Sequence, residues 1–176
     1  ATEGDVDRAI LNQNGTIQSK GELTINSDIF QSHVQGSVSS GGQLSVSVSD
    51  FSNQGSMSSE DSMTVAVGGG FINAGNMKTN AVLDINSKGR IQNSGVMSGK
   101  TSASIVSDQS ILNTGGTIDG GERLVINAKG GNIENSEAGV IQSGGVLSIM
   151  TATEGEVDRE ISNQNGTIQS KGELTI

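Results

Sequence analysis

Phe71-Ile-Asn73-Ala-Gly75-Asn-Met77-Lys-Thr79-Asn-Ala-Val-Leu83-Asp-Ile85-Asn-Ser-Lys-Gly-Arg decides the reading of this 176-residue chain. The residues that follow, Ile91-Gln-Asn93-Ser-Gly95-Val-Met97-Ser-Gly99, restate its apolar, amide and glycine positions twenty places on. Working outward, the same register holds from end to end. Gly15, Gly36, Gly55, Gly75, Gly95, Gly116, Gly139 and Gly166 stand 21, 19, 20, 20, 21, 23 and 27 residues apart. Two positions after each glycine comes an apolar residue: Ile17, Val38, Met57, Met77, Met97, Ile118, Ile141, Ile168. Eight positions after come Leu23, Leu44, Met63, Leu83, Ala103, Leu124, Leu147 and Leu174, and ten after, Ile or Val without exception. A period of about 20 residues sustained in this way is the mark of a solenoid.

Offsets 2, 8 and 10 share one parity, the alternation of a strand with one buried face. Position 4 has the same parity and is always small, from Ser19 and Ser40 to Gly99 and Gly120. It reads as an inward spot at a bend. A third apolar site is read four or five residues before most of these glycines, at Leu11, Phe51, Phe71, Ile91 and Leu112. Each period therefore supplies two or three short strands joined by Gly, Ser and Asn turns, and no window carries a 3.6-residue stripe. The expected fold is all-β: a parallel β-helix of about eight turns at ~20 residues per turn, stacked ~4.8 Å apart.

Composition agrees only once the repeat is seen. Gly, Ser and Asn make up 67 residues, whereas Leu, Ile, Val and Phe together make 42. That aliphatic content is low for a sphere but enough for a core one or two side chains wide. Pro, Cys, Trp and Tyr are absent, which excludes disulfides and cysteine-based metal or redox sites. The net charge of −9 disfavours nucleic acid and anionic membrane as partners. No apolar run reaches the ~18 residues of a membrane span, so no membrane insertion is expected, and the opening residues do not read as a secretory signal.

A longer period encloses the short one. Residues 1–25 recur at 152–176 with 22 identities, differing at Asp5/Glu156, Ala9/Glu160 and Leu11/Ser162. The expectation is a single β-helical segment, 1–176, of a longer tandem array with a 151-residue block, the next copy beginning at 152. The wide final spacing places an inserted acidic segment before each copy of this repeat, carrying Glu3, Asp5 and Asp7, then Glu154, Glu156 and Asp158. These carboxylates are the candidate Ca²⁺ or ligand contacts, although the calcium-loop and nonapeptide signatures are missing. Asn53, Asn73, Asn93 and Asn113 fall 20 apart and read as a structural ladder of stacked amides, with Asn12 and Asn163 in similar places. Ser32 stands where most turns have Asn.

Catalysis finds little footing. His33 is the sole histidine, the arginines sit singly, and stacking platforms for sugar rings are missing. No catalytic residue and no cofactor is expected, which leaves a β-helical polysaccharide-degrading enzyme as the rival reading.

Turns such as Leu112-Asn-Thr-Gly-Gly-Thr-Ile118-Asp-Gly-Gly-Glu-Arg-Leu124-Val-Ile126 resemble the L-x-N-x-G-x-I-x-x-x-G-x-L-x-I repeats of filamentous haemagglutinin. That family includes exoproteins of bacterial two-partner secretion: adhesins, haemolysins and contact-dependent growth inhibition effectors. The resemblance implies a right-handed helix, export by a dedicated outer-membrane transporter and a place at the bacterial surface. The function it implies is a stalk segment of a large secreted surface adhesin facing a host-cell or neighbouring bacterial surface. An adhesive module binding ligand or glycan through the acidic segments is the alternative.

Overall fold

The computed structural model describes residues 8–151 and 159–176, and across them the chain forms twenty-four short strands and no helix. The first turn lays down Ala9–Asn12, Thr16–Ser19 and Leu23–Asn26, and the last lays down Ile161–Gln164, Thr167–Ser170 and Leu174–Thr175. Each strand pairs in parallel with the strand three positions on. Sheet A thus collects the first strand of every turn, sheet B the second and sheet C the third, eight strands in each. Eight strands leave seven turn-to-turn steps, a rod of about 34 Å at ~4.8 Å per step. One turn takes about 21 residues.

The core is a set of columns with one residue per turn. Val38, Met57, Met77, Met97, Ile118 and Ile141 line sheet B, and each is 0% exposed. Sheet C contributes two columns, one through Leu44, Met63, Leu83, Ala103, Leu124 and Leu147, the other through Val46, Val65, Ile85, Ile105, Ile126 and Ile149. Sheet A supplies Phe30, Phe51 and Phe71, followed by Ile91, Ile111 and Ile133. All three phenylalanines of the chain stack here, with ring centroids 5.5 and 4.7 Å apart. Stacking like on like lets parallel in-register strands bury aromatics without a wide core.

Two residues of the third apolar site face the other way. Leu11 is 54% exposed and Leu112 is half-buried, whereas Ile10 and Ile111 occupy the column. The register requires this, because Asn113 pairs with Asn93 and Ile111 with Ile91. In those turns the corner before the glycine holds one extra residue in a left-handed conformation, Asn14 at φ 56° and Gly115 at φ 69°. Counting back from the glycine is then off by one, and a one-residue slip exchanges inside for outside. The Gly139 corner does the same with two such residues, Glu137 and Ala138, and turns Ile133 inward.

The corners carry buried polar groups. Position 4 faces inward between sheets B and C, where Ser40 Oγ donates to the carbonyls of Gly21 (2.7 Å) or Gln43 (2.9 Å), and Thr79 Oγ1 donates to that of Asp61. Between sheets C and A, Ser87 and Ser107 donate to the carbonyls of Gly69 and Gly89, each at 2.8 Å. Between sheets A and B the backbones approach so closely that a Cβ on Gly75 would collide with the carbonyl oxygen of Gly55. That close approach, rather than a special φ, fixes glycine there.

Candidate functional site

The corner between sheets A and B is the most ordered polar feature of the rod. Every strand of sheet A except Ile29–Ser32 carries an asparagine at its end or one residue before it, and parallel pairing stacks these amides one turn apart. Asn53 Nδ2 donates to Asn73 Oδ1 (2.8 Å), Asn73 to Asn93 (2.8 Å) and Asn93 to Asn113 (2.7 Å). The chain of bonds continues from Asn113 to Asn135 (2.7 Å) and from Asn135 to Asn163 (2.8 Å). The second hydrogen of each Nδ2 reaches backbone carbonyls at the corner, for Asn93 those of Gly95 (3.2 Å) and Thr117 (3.3 Å). The ladder therefore spends its amides on itself and on the corner it closes. It presents no free row of donors to a ligand.

At the other end the ladder breaks. Ser32 pairs with Asn53 and is too short to donate to it, so Ser32 Oγ and Asn53 Oδ1 are both buried without a partner. Asn12, beyond the break, turns its Nδ2 to the carbonyl of Ser37 at 3.0 Å. Asn135 joins the ladder although it lies 22 rather than 20 residues from Asn113, because the longer corner absorbs the difference.

Glu3, Asp5, Asp7, Glu154, Glu156 and Asp158 lie outside the described residues. The segment bearing the last three leaves after Thr151, at the end of sheet C, and returns at Arg159 before sheet A. His33 is half-buried, its Nε2 3.5 Å from Gln13 Nε2. Arg8 meets Asp28 at 3.6 Å, and Arg159 donates to the carbonyl of Lys129. Among the described residues no group of three or more His, Asp or Glu converges in the manner of metal ligands.

The outer faces are mostly small and polar. On sheet C the outward column runs Thr24, Ser45, Thr64, Asp84, Ser104, Val125, Ser148. A groove of about 430 Å³ crosses the edge of this face past Ser47, Ala66, Asn86 and Lys88 to an exposed Asp108–Lys129 ion pair (3.1 Å). An exposed pair of this kind adds little to stability, ~0–1 kcal/mol. No helix among the described residues is long and apolar enough to cross a membrane.

Comparison with curated proteins and with solved structures gives no match. The family model for the haemagglutinin repeat, by contrast, matches residues 3–95, 100–154 and 131–176, nearly the whole chain in successive repeats. Coverage of that extent, on a parallel three-sheet solenoid with one motif per turn, means that the chain belongs to the haemagglutinin repeat family.

Proposed function

We propose that this chain is a load-carrying, distance-setting stalk segment of a large secreted bacterial surface adhesin or contact-dependent inhibition effector. It holds a distal functional region away from the cell. In this reading the parent protein leaves through an outer-membrane transporter of the two-partner secretion type and meets a host-cell or neighbouring bacterial surface. The haemagglutinin repeat is an adhesin-type repeat, which supports the class.

The observation that carries the stalk reading is the fit between the duplication and the turn. Residues 152–176 repeat residues 1–25, and the described part of the second copy enters the same three sheets as the first. Ile168 lies in the sheet B column that begins at Ile17, and Leu174 in the sheet C column that begins at Leu23. A 151-residue block thus corresponds to seven whole turn-to-turn steps. Duplicating it lengthens the rod by about 34 Å without disturbing the register of any column. A block of fractional turns would rotate every inward residue out of its column at the junction.

Adhesion assays separate a stalk from an adhesive module. The isolated 176-residue chain is expected to bind host cells, bacteria and glycan arrays at background, while the parent protein binds. Binding by the isolated chain at the parent's level would refute the stalk reading.

A further inference from the structure

Only two of the chain's fifteen asparagines precede a glycine: Asn14-Gly15 and Asn165-Gly166. Glycine has no Cβ, so its backbone nitrogen can approach the preceding side-chain amide with little hindrance. In a folded chain that approach also needs an N–H free of hydrogen bonding and an amide that is within reach. Both conditions are met at these two pairs. They lie on lengthened corners between sheets A and B, where Asn14 and Asn165 are exposed and each has φ 56°. Neither side chain makes a hydrogen bond, and the N–H groups of Gly15 and Gly166 have no acceptor among the described residues.

Elsewhere the backbone is committed. At corners of uniform length the glycine N–H is engaged, Gly75 donating to the Asn53 carbonyl (3.1 Å) and Gly95 to that of Asn73 (3.2 Å). The residue after each ladder asparagine is held in the same way: Gln54 donates to Ser32 (2.7 Å), Ala74 to Asn53 (2.8 Å) and Ser94 to Asn73 (2.9 Å). Attack at a ladder amide would break such a bond and withdraw a buried side chain. Asn26 is an internal control, because it is exposed and precedes a small residue, yet Ser27 donates its N–H to the Ser47 carbonyl (3.3 Å).

We infer that Asn14 and Asn165 are sites of spontaneous deamidation through a cyclic imide, a slow clock of charge on one edge of the rod. The nitrogen of Gly15 gives up its proton and forms a bond to Asn14 Cγ. The Cγ–Nδ2 bond breaks, and the amide nitrogen leaves with that proton as ammonia. Water then adds to one of the two imide carbonyls, opening the ring to aspartate or to isoaspartate, in which the chain runs through the side-chain carbonyl. Each event consumes one water and releases one ammonia, with nothing oxidised or reduced. Asn165 and Gly166 react in the same way, and together the two events take the net charge from −9 to −11. The reacting N–H groups carry no turn-to-turn bond, so the columns at Ile17 and Ile168 keep their register. The sites are seven steps apart, which places one new carboxylate on the same edge about every 34 Å.

The folded 176-residue chain, held in mildly alkaline buffer and sampled by intact mass, isoelectric focusing and peptide mapping with electron-transfer fragmentation, tests this. Two gains of about one dalton each are expected, confined to Asn14 and Asn165, with isoaspartate the larger product. Asn26 and the ladder asparagines keep their amides. Asn14→Gly, which suits the left-handed corner, removes one gain, and adding Asn165→Gly removes the second, while circular dichroism checks that the sheets persist. A second arm uses the unsubstituted chain in urea, where Asn26 is expected to deamidate as well once the bond from Ser27 to Ser47 is lost. Amides that survive at Asn14 and Asn165, an Asn26 that reacts as fast as they do in the folded chain, or an Asn26 as inert in urea as in buffer would each overturn the inference. So would aspartate formed without isoaspartate, or gains that outlast the double substitution.

Discussion

At the scale of single residues the ladder corner sets the energetics. Buried amides are tolerated only because each is satisfied by its neighbours, and a missing partner costs ~1–3 kcal/mol per orphaned group. Asn93→Ala removes the donor to Asn113, Gly95 and Thr117 and the acceptor for Asn73. It is expected to lower stability by about 1–3 kcal/mol in urea denaturation. The break at Ser32 predicts the opposite sign. Ser32 lies four residues before Gly36, the same separation as Asn135 from Gly139, and Asn135 is accommodated in the ladder. Ser32→Asn should therefore give Asn53 Oδ1 its missing donor and raise stability by about 1 kcal/mol, read as a higher melting temperature. An unchanged or lower melting temperature would mean that the orphaned pair is not the cost assigned to it.

At the scale of strands and sheets, which residue faces inward is decided by pairing register. Offsets counted from the glycine already revealed sheets B and C, because the corner between B and C keeps nearly constant length from turn to turn. Sheet A was legible only in part. Phe51, Phe71 and Ile91 precede corners of uniform length, whereas Leu11 and Leu112 precede corners lengthened by Asn14 and Gly115, whose left-handed conformation no spacing records. Asn135 escaped the twenty-residue count for the same reason. The acidic candidates were legible as insertions in the spacing, but a charged segment carries no periodicity from which a geometry follows. The corrected register is testable by paired substitutions. Leu112→Ser should change stability by no more than about 0.5 kcal/mol, as an outward substitution does. Ile111→Ala should cost about 2–5 kcal/mol, since it empties a fully buried column position. Phe51→Ala, at the centre of the aromatic stack, should cost about 3–5 kcal/mol. Equal losses from the two isoleucine-leucine neighbours would contradict the register.

At the scale of the whole molecule, low aliphatic content, a 20-residue period and a 25-residue recurrence at an offset of 151 are three views of one construction. A rod needs few apolar residues per turn, each turn covers the next, and stability is close to a sum of turn and interface contributions. Such a body can be lengthened by whole blocks without redesign of its core, which a globular domain does not allow. Its net charge of −9, to which the two acidic segments contribute six carboxylates, favours solubility. The most direct test is the length of chains carrying one, two and three 151-residue blocks, measured by small-angle X-ray scattering and negative-stain electron microscopy. Particles of constant cross-section that lengthen by about 34 Å per block, seven steps at the strand spacing, are predicted. Beads of fixed size on a string, or an increment that differs from a whole number of turns, would contradict a continuous in-register stalk.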